Sequence, residues 1–452
     1  MPADTRTIAE LSHDLRSSRL RARDIVEQCL ERIAARNASI NAFITVRADE
    51  ARHEADDADR EIAAGRWRGP LHGIPVSLKD IIDQRGVPTT AASRVRGGHV
   101  AANDATVVAR LRHAGAVLIG KTNLHEFAFG TTNEDSAYGA VQHPLDASRS
   151  PGGSSGGSAA SVLDGMACAS VGTDTGGSIR IPAAACGLVG LKPGLGEVPT
   201  DGVVPLSATM DHIGPICRSV ADAGFVYGAL RGQANPAPIA PAVVRGMRLG
   251  IPRAYFLSLL DDEVAAGFER ACTRLAQAGV IFDDVAVPHA REIAPVYLHL
   301  VLPEAAAYHA HTLEERSGDY TPNVRIRLEM GRYILAEDYV RAMQGRAVLT
   351  AEVEAALHGR DGLLLPSLAV PATTLGEPTV RIGGADEPVR NITLRLTQLF
   401  NITGHPAIAV PCGATRAGLP ISLQLVGHQH RTVDLLAAAS ALEPYAGSGA
   451  SM

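Results

Sequence analysis

Apolar residues recur at helical spacing near the beginning of the chain. Two such series are present: Ile8, Leu11 and Leu15, and then Ile25, Cys29 and Ile33. Residues three or four apart share one face of an α-helix, so the pattern predicts two N-terminal helices that pack on the outside of a larger body. A charged, alanine-rich stretch at 51–64 predicts a third, exposed helix.

Short apolar runs follow and alternate with helical stretches. The run at 71–79 ends in Lys79, the run at 166–171 lies between two glycine-serine clusters, and Asp104 is placed to cap a helix that ends at His113. Further predicted strands are at 117–119, 188–191, 249–251, 280–287, 363–365, 407–410 and 422–426. Strands that alternate with helices predict an α/β fold around a largely buried sheet.

Three other stretches bear on the organisation of the chain. Proline and alanine dominate residues 233–242, which predicts a surface connection rather than a domain boundary. Residues 290–358 are mostly helical in pattern. The small-residue tail at 447–452 is predicted to be disordered.

Composition and charge narrow the classes of function. The 452 residues carry a net charge of −6 and no basic block, so the sequence gives no support for nucleic-acid binding. The N-terminus has no long apolar segment, so we expect no membrane anchor and no signal peptide. Six cysteines are scattered without CxxC spacing, which predicts free thiols in a reduced, cytoplasmic protein.

Residues 151–182 are unusually rich in glycine and serine. Glycine at this density indicates positive φ or a close approach of backbones. A turn with free N–H groups before the helix predicted from Ile179 to Pro182 would hold an anion, as the oxyanion of acyl transfer requires. Neither cluster has the lysine of a phosphate-binding loop, and the G-x-S-x-G match at 152–156 lacks a preceding strand. A flexible linker is disfavoured because the surroundings are apolar.

Two blocks in this stretch, GSSGGS at 153–158 and GTDTGGSIR at 172–180, resemble the signature of the amidase signature family of serine hydrolases. Upstream, GIPVSLKD at 73–80 is similar to the lysine motif of that family. The resemblance implies a large mixed central β-sheet with helices on both faces. It also implies one domain over 1–446, with a helical N-terminal part (5–65), a catalytic core (66–232) and a variable, mostly helical cap (290–358).

The resemblance assigns a role to each motif residue. It implies that Ser178 is the nucleophile, that Ser154 beside a cis peptide bond relays the proton, and that Lys79 is the base. A lysine base must be neutral, and burial at the end of an apolar strand favours that form. The oxyanion hole would be the N–H groups of Thr175, Gly176, Gly177 and Ser178. The substrate pocket would be lined by Phe127, Phe129 and Gly130, although core packing explains the two rings equally well.

No metal and no cofactor is expected. The pairs His309 and His311, and His428 and His430, lack the additional acidic or cysteine ligands of a metal site. The resemblance implies a small-molecule amide or carbamate (urethane) as substrate, with esters as a further possibility, and a monomer or homodimer. The sequence motifs do not distinguish amidases, carboxybiuret hydrolases and urethanases from one another.

An alternative remains: the amidase (A) subunit of a tRNA-dependent amidotransferase. That subunit carries glutamine where this chain has Ile181, and Arg-Tyr-Gly where this chain has Thr200-Asp201-Gly202. Both departures favour a free-standing amidase. A catalytically inactive scaffold is disfavoured because Lys79, Ser154 and Ser178 are all present.

Overall fold

The computed structural model describes residues 6–447, which form an α/β structure around one sheet of eleven strands. A separate two-stranded hairpin lies outside that sheet. In chain order the strands are β1 Phe43–Val46, β2 Pro75–Lys79, β3 Val117–Thr122, β4 Ala169–Asp174, β5 Val189–Lys192, β6 His212–Cys217, β7 Arg248–Pro252, β8 Ile281–Val285, β9 Gly362–Pro366, the hairpin strands β10 Thr379–Ile382 and β11 Ala385–Pro388, then β12 Ala407–Ala414 and β13 Pro420–Val426.

The large sheet is mixed, and its spatial order is β1-β3-β2-β4-β6-β5-β12-β13-β9-β7-β8. Strand β2 pairs in parallel with both β3 and β4, and β7 pairs in parallel with β8 and β9. The remaining pairs in this sheet are antiparallel. The carboxyl ends of β2 and β4 therefore lie side by side at one edge of the sheet, and Lys79 and Asp174 occupy those ends.

Helices cover both faces of the sheet. They are α1 Ile8–Arg16, α2 Ala22–Ile40, α3 Ala48–Ala63, α4 Thr106–His113, α5 Gly156–Leu163, α6 Arg180–Ala185, α7 Val220–Leu230, α8 Asp262–Gln277, α9 Ile293–Arg316, α10 Pro322–Gly331, α11 Ala336–Leu357, α12 Val389–Leu394, α13 Leu399–Ile402 and α14 Thr432–Ala446. Short 3-10 turns occur at Arg94–Arg96, Glu126–Ala128, Ala290–Glu292 and Ser317–Asp319.

The sequence predicted this architecture and most of the strands. The predicted α/β fold with a large mixed sheet and helices on both faces is confirmed. The strand predicted at 71–79 is shorter, and the one predicted at 166–171 lies later in the chain, at β4. Asp104 does not cap α4: the N-cap is Ala105, and the Asp104 carboxylate accepts from the backbone N–H of Arg85 and from Arg112.

The N-terminal part and the region predicted as a cap are both helical, as expected. Helices α1 to α3 lie within the N-terminal part, and α9 to α11 lie within 290–358. Helix α3 is less exposed than predicted, because three alanines on one side of it are buried. The division into an N-terminal part, a core and a cap stays a prediction, and all but the first residue of the predicted disordered tail lies outside the described residues.

Candidate active site

Lys79 is the last residue of β2 and is completely buried. Hydrogen bonds of 2.8 Å join its Nζ to Ser154 Oγ and to Thr173 Oγ1. The strand before it is apolar and central in the sheet, which is why a lysine at its end is held inside the protein. The sequence motifs at 73–80 and 153–158 therefore meet at one ammonium group.

Burial lowers the pKa of Lys79 to about 7, although the negative charges of Asp174 and Asp211 oppose this shift. Neighbouring Asp80 does not counteract it, because its carboxylate points to the other side of the strand. Asp80 accepts from Lys121 Nζ at 2.8 Å and from the backbone N–H of Thr90 at 2.9 Å. A large fraction of Lys79 is therefore neutral at physiological pH.

Ser154 and Ser178 lie on adjacent segments of backbone. The N–H of Ser155 donates to the carbonyl of Ser178 at 3.2 Å, and the peptide bond between Gly153 and Ser154 is cis. Ser154 is 0% exposed whereas Ser178 is 5% exposed, so only Ser178 can be reached from outside. Within residues 6–447 the Ser178 hydroxyl has no hydrogen-bond partner, which leaves its oxygen free to meet a substrate.

Close backbone contacts explain the glycines around Ser154. A Cβ on Gly153 would lie 2.9 Å from backbone atoms of the segment 131–133. A Cβ on Gly157 would overlap the carbonyl oxygen of Asn123 and would lie 2.5 Å from that of Ala42. The predicted close approach of backbones is therefore present at both positions.

Asp174 holds the turn that leads to Ser178. Its carboxylate accepts from the N–H groups of Gly177 at 2.8 Å and Ile179 at 3.1 Å, and from the Arg180 guanidinium at 3.0 Å. Burial is the largest single influence and raises the pKa of Asp174, but the charge and hydrogen bonds of Arg180, with those of Lys192 and Asn401, together hold the pKa well below its usual range. Asp174 is therefore ionised, and it fixes the shape of the turn.

The predicted oxyanion donors are only partly available. The N–H groups of Thr175, Gly176 and Ser178 have no acceptor in the part of the chain that the structure describes. The N–H of Gly177 donates to Asp174 Oδ1 at 2.8 Å, so three of the four predicted donors are without an acceptor among the described residues, and the oxyanion hole stays a prediction. These three lie in one short turn and can all face one developing negative charge.

The predicted pocket residues Phe127, Phe129 and Gly130 are packed tightly. The Phe127 ring lies edge-on against His309, with the ring centroids 4.3 Å apart, and the Phe129 ring lies below the Arg327 guanidinium. A Cβ on Gly130 would overlap the ring of His125. These surroundings are those of packing residues, so contact of the three with substrate stays a prediction without structural support.

Two cavities are relevant to the site: the first is lined in part by residues of the turn before Ser178, and the second is lined by the segment 131–132, which packs against Gly153. We name the first, of about 210 Å³, the Asp211 cavity; its lining includes Ala128, Thr173, Thr175 and Asp211. Burial raises the pKa of Asp211 to about 6, although a hydrogen bond from Thr175 opposes the shift. We name the second, of about 410 Å³, the arginine cavity; its lining includes Thr131, Thr132, Arg327 and Arg390.

Several residues beside the site were missed by the sequence analysis. The hydroxyl of Tyr297 lies 2.5 Å from the position of a Cβ on Gly176, and Thr397 Oγ1 donates to the Gly176 carbonyl at 2.6 Å. Burial raises the pKa of Tyr297 above its ordinary range, so the hydroxyl is protonated. Tyr297 and Thr397 are distant from Gly176 in sequence, and neither belongs to a local motif. Only the tertiary fold brings them to the site.

The histidine pairs are separate from this site. His309 packs against Phe127 and Tyr320, and His428 Nε2 lies 2.8 Å from the Arg360 carbonyl oxygen. Over residues 6–447 no cluster of three or more His, Cys, Asp or Glu side chains has the arrangement of a metal site. None of the helices described is long and apolar enough to cross a bilayer.

Comparisons with known proteins point in one direction. The sequence profile of the Amidase family matches residues 24–436. The A-subunit of a glutamyl-tRNA(Gln) amidotransferase from Koribacter versatilis (strain Ellin345) is 37% identical over 459 residues, which cover 93% of this chain and 94% of the relative. An amidase of Pseudomonas putida is 39% identical over 427 residues, 91% of this chain and 90% of that protein.

Solved structures agree with the sequence matches. A crystal structure of an amidase superposes with a TM-score of 0.92 at 37% identity, over 97% of this chain and 99% of the other. Likeness over nearly the whole length, in sequence and in structure, confirms the resemblance carried by the three motifs. The chain belongs to the amidase signature family, has its fold, and is an enzyme that acts on carbon–nitrogen bonds.

Proposed function

We propose that this protein is a free-standing serine hydrolase that cleaves the C–N bond of linear amides through an acyl-enzyme. The observation that carries the proposal is the 2.8 Å hydrogen bond between the fully buried Lys79 Nζ and Ser154 Oγ. A serine hydroxyl is a weak nucleophile until a base takes its proton. A neutral lysine next to a serine is such a base.

In the proposed first half-reaction Ser178 Oγ attacks the amide carbonyl. Its proton passes to Ser154 Oγ while the Ser154 proton passes to Lys79 Nζ. The carbonyl oxygen becomes an oxyanion that accepts hydrogen bonds from the N–H groups of Thr175, Gly176 and Ser178. These donors are fixed before the reaction because Asp174 and Thr397 hold the turn, so little reorganisation is needed as charge develops.

The same groups then work in reverse. Lys79 returns its proton through Ser154 to the amine nitrogen, the C–N bond breaks, and the acyl group remains on Ser178. A water molecule loses a proton along the same route and attacks the ester. The bond between the acyl carbon and Ser178 Oγ then breaks, the proton returns through Ser154 to Ser178 Oγ, and the acid leaves. Esters and carbamates enter this cycle at the same step, so we include them as further candidate substrates.

A fluorophosphonate reagent tests this assignment directly. We expect one phosphonyl adduct, located on Ser178 by peptide mapping and mass spectrometry, and no adduct in Ser178→Ala. As a control, Ser155→Ala should retain labelling at Ser178, because the Ser155 hydroxyl only bonds the backbone of Thr173. An adduct on Ser154 or Ser155 in the unaltered protein would refute the proposal.

A second candidate function is the amidase subunit of a tRNA-dependent amidotransferase, since the Koribacter relative carries that name. Against it, this chain has Ile181 where that subunit carries glutamine. The Ile181 side chain is buried, and its Cδ1 lies 2.7 Å from the position of a Cβ on Gly177. Glutamine hydrolysis that exceeds the hydrolysis of all other amides, and that rises when partner subunits are added, would favour this second function.

We further propose that the enzyme works in the cytoplasm, as a monomer or homodimer. None of the six cysteines, which all lie within residues 6–447, forms a disulfide and all six are buried, as expected for a protein kept in a reducing compartment. Size-exclusion chromatography with light scattering tests the oligomeric state. A stable assembly larger than a dimer would contradict that part of the proposal.

A further inference from the structure

Two arginines line the arginine cavity without an ion-pair partner. Arg327 donates one hydrogen bond, to the Phe129 carbonyl. Arg390 is partly buried, its Nε is shielded from solvent, and within residues 6–447 its side chain donates no hydrogen bond at all. A cationic side chain in an enclosed place is costly unless a partner arrives, so this arrangement is typical of a site that awaits an anion.

Arg390 lies on the helix that packs against the turn before Ser178. Leu394 lies one helical turn further along α12, on the same side of the helix, and its Cδ2 is 3.1 Å from the position of a Cβ on Gly176. Tyr297 is close to the same turn: its hydroxyl lies 2.5 Å from the position of a Cβ on Gly176, and the positive charges of Arg390 and Arg327 are among those that act on its pKa. Arg390 therefore lies near the turn that carries the proposed oxyanion donors.

The opposite wall of the cavity adjoins the relay serine. Thr131 and Thr132 line the cavity, and their backbone atoms are about 3 Å from the position of a Cβ on Gly153, the residue before Ser154. The Ser150 hydroxyl donates to the Thr132 carbonyl at 2.6 Å and holds that wall in place. The cavity thus has Arg390 in its lining together with the segment 131–132, and the backbone of that segment packs against Gly153, the residue before the fully buried Ser154.

Acidic groups are also present in this cavity, but they have other partners or are exposed. Both carboxylate oxygens of Asp135 accept from Asn323, and one lies 3.1 Å from His125 Nε2. Glu134 accepts from the N–H of Gly376, and Glu377 is exposed. No carboxylate in the described part of the chain forms an ion pair with Arg390, so its charge is available.

We propose that the substrate is an amide that carries a carboxylate, and that Arg390 binds this carboxylate beside the scissile bond. Arg327 adds positive charge to the same cavity. This inference rests on the proposed amide hydrolysis and names its substrate class. A guanidinium presents a planar fork that matches a carboxylate, and the pair strengthens where water is excluded. A neutral amide of the same size leaves Arg390 without a partner.

The test compares acids with neutral amides of similar size. Succinamate is paired with succinamide for a carboxylate on the acyl side, and N-acetylglycine with N-propylacetamide for one on the amine side. We expect kcat/KM to favour the acid in one pair by about tenfold or more, mostly through KM. Arg390→Met should remove this preference, with a loss in kcat/KM for the acid that is about tenfold larger than any change for the neutral member.

Arg395→Met is the matched control. Arg395 follows α12, but its guanidinium lies 3.9 Å from the Tyr255 ring centroid and donates to the Tyr255 carbonyl at 2.6 Å, outside the arginine cavity. This variant should keep the preference for the acid. Equal or better hydrolysis of the neutral member in both pairs, or a preference that survives Arg390→Met, would overturn the inference.

A binding measurement separates this inference from the proposed chemistry. Calorimetry with succinate on Ser178→Ala needs no turnover, and we expect binding that weakens about tenfold when Arg390→Met is added. If no amide is hydrolysed and Ser178 takes no fluorophosphonate label, the proposed function fails, whereas this binding still tests the carboxylate site. Binding that is the same with and without Arg390 would refute the site even in an active amidase.

Discussion

At the scale of single residues, the environment of Lys79 decides what this side chain can do. A lysine in water is almost fully protonated at neutral pH and cannot accept a proton. Here complete burial lowers its pKa to about 7, while Asp174 and Asp211 limit that shift. The group is therefore poised so that it can both take and return a proton near physiological pH.

The pH dependence of amide hydrolysis follows from this pKa. Below it Lys79 is protonated and inactive as a base, and above it the neutral form predominates. We expect kcat/KM for a neutral amide to rise through about pH 7 and then level off. A rate profile from pH 5 to 9 checks this. A rate that falls over this range would contradict a lysine base.

Replacement of Lys79 separates the function of a base from that of a positive charge. Lys79→Ala should reduce amide hydrolysis about a thousandfold, and an activated ester should suffer less because its leaving group needs no proton. Lys79→Arg should be no better than alanine, since guanidinium cannot deprotonate in this range. The comparison uses kcat/KM for one amide and one nitrophenyl ester. Near-normal amide hydrolysis by Lys79→Arg would show that another group is the base.

Asp80 follows Lys79 in the sequence, but we expect it to affect stability and not the protonation of Lys79. Lys121 and Asp80 are both fully buried and joined at 2.8 Å, so Asp80→Asn leaves the Lys121 ammonium without its counter-charge. We expect the free energy of unfolding to fall by about 3 kcal/mol. The pH midpoint of activity should not move, because Asp80 is not among the groups that shift Lys79. Urea denaturation and the pH profile test the two halves of this prediction.

Two contacts near the site differ in how far the sequence indicates them. Neighbours on a strand point to opposite faces, and the Asp80 carboxylate accordingly pairs with Lys121 rather than with Lys79. The hydrogen bond from the Gly177 N–H to Asp174 has no such signal in the sequence. A hydrogen bond between a side chain and a backbone three residues away depends on the exact turn, which composition does not determine.

At the scale of elements, the join between the loop at 151–155 and helix α5 depends on glycine. The first turn of α5 lies against backbone carbonyls of the segment before β1 and the segment after β3, so no side chain fits at Gly157. The sequence indicated close packing here from glycine density alone, but it could not say which backbone would approach.

Gly157→Ala tests that packing. A Cβ would overlap the carbonyl oxygens of Asn123 and Ala42, and backbone cannot move aside without shifting β1 or β3. We expect a loss of about 3 kcal/mol in the free energy of unfolding. Gly98→Ala is the control, because nothing lies within 4 Å of its added Cβ, and it should change stability by less than about 0.5 kcal/mol. Equal denaturation midpoints for the two variants would contradict the prediction.

The pattern of apolar residues in the sequence did not give the exact ends of the strands. The strand predicted from Met166 to Val171 begins later and continues to Asp174, because backbone pairing with β6 extends it into the glycine-rich segment. Strand β6 itself was not predicted. A polar and proline-containing segment such as His212–Cys217 forms a strand only because two partner strands flank it, and this is a tertiary effect.

At the scale of the whole molecule, the sheet order explains why only part of the site could be foreseen. Strands β2 and β4 are neighbours, so motifs 75 residues apart meet at Lys79 and Ser154. Arg390 and Thr397 come from the other end of the chain and carry no motif. The contact of Thr397 with Gly176 follows from how the C-terminal strands β12 and β13 continue the sheet, which no local pattern encodes.

This arrangement predicts that the single chain is a complete catalyst. The proposed base, relay, nucleophile and oxyanion donors all come from β2, β4 and the loops beside them, and each proposed proton transfer ends on a group of this chain. We therefore expect purified protein to hydrolyse amides at an unchanged rate after exhaustive dialysis against a chelator, and without ATP, tRNA or a second protein. Lys79→Ala, treated identically, gives the background rate. Activity that disappears on chelation and returns with zinc, or that elutes only with another polypeptide, would show that these residues alone do not make a complete site.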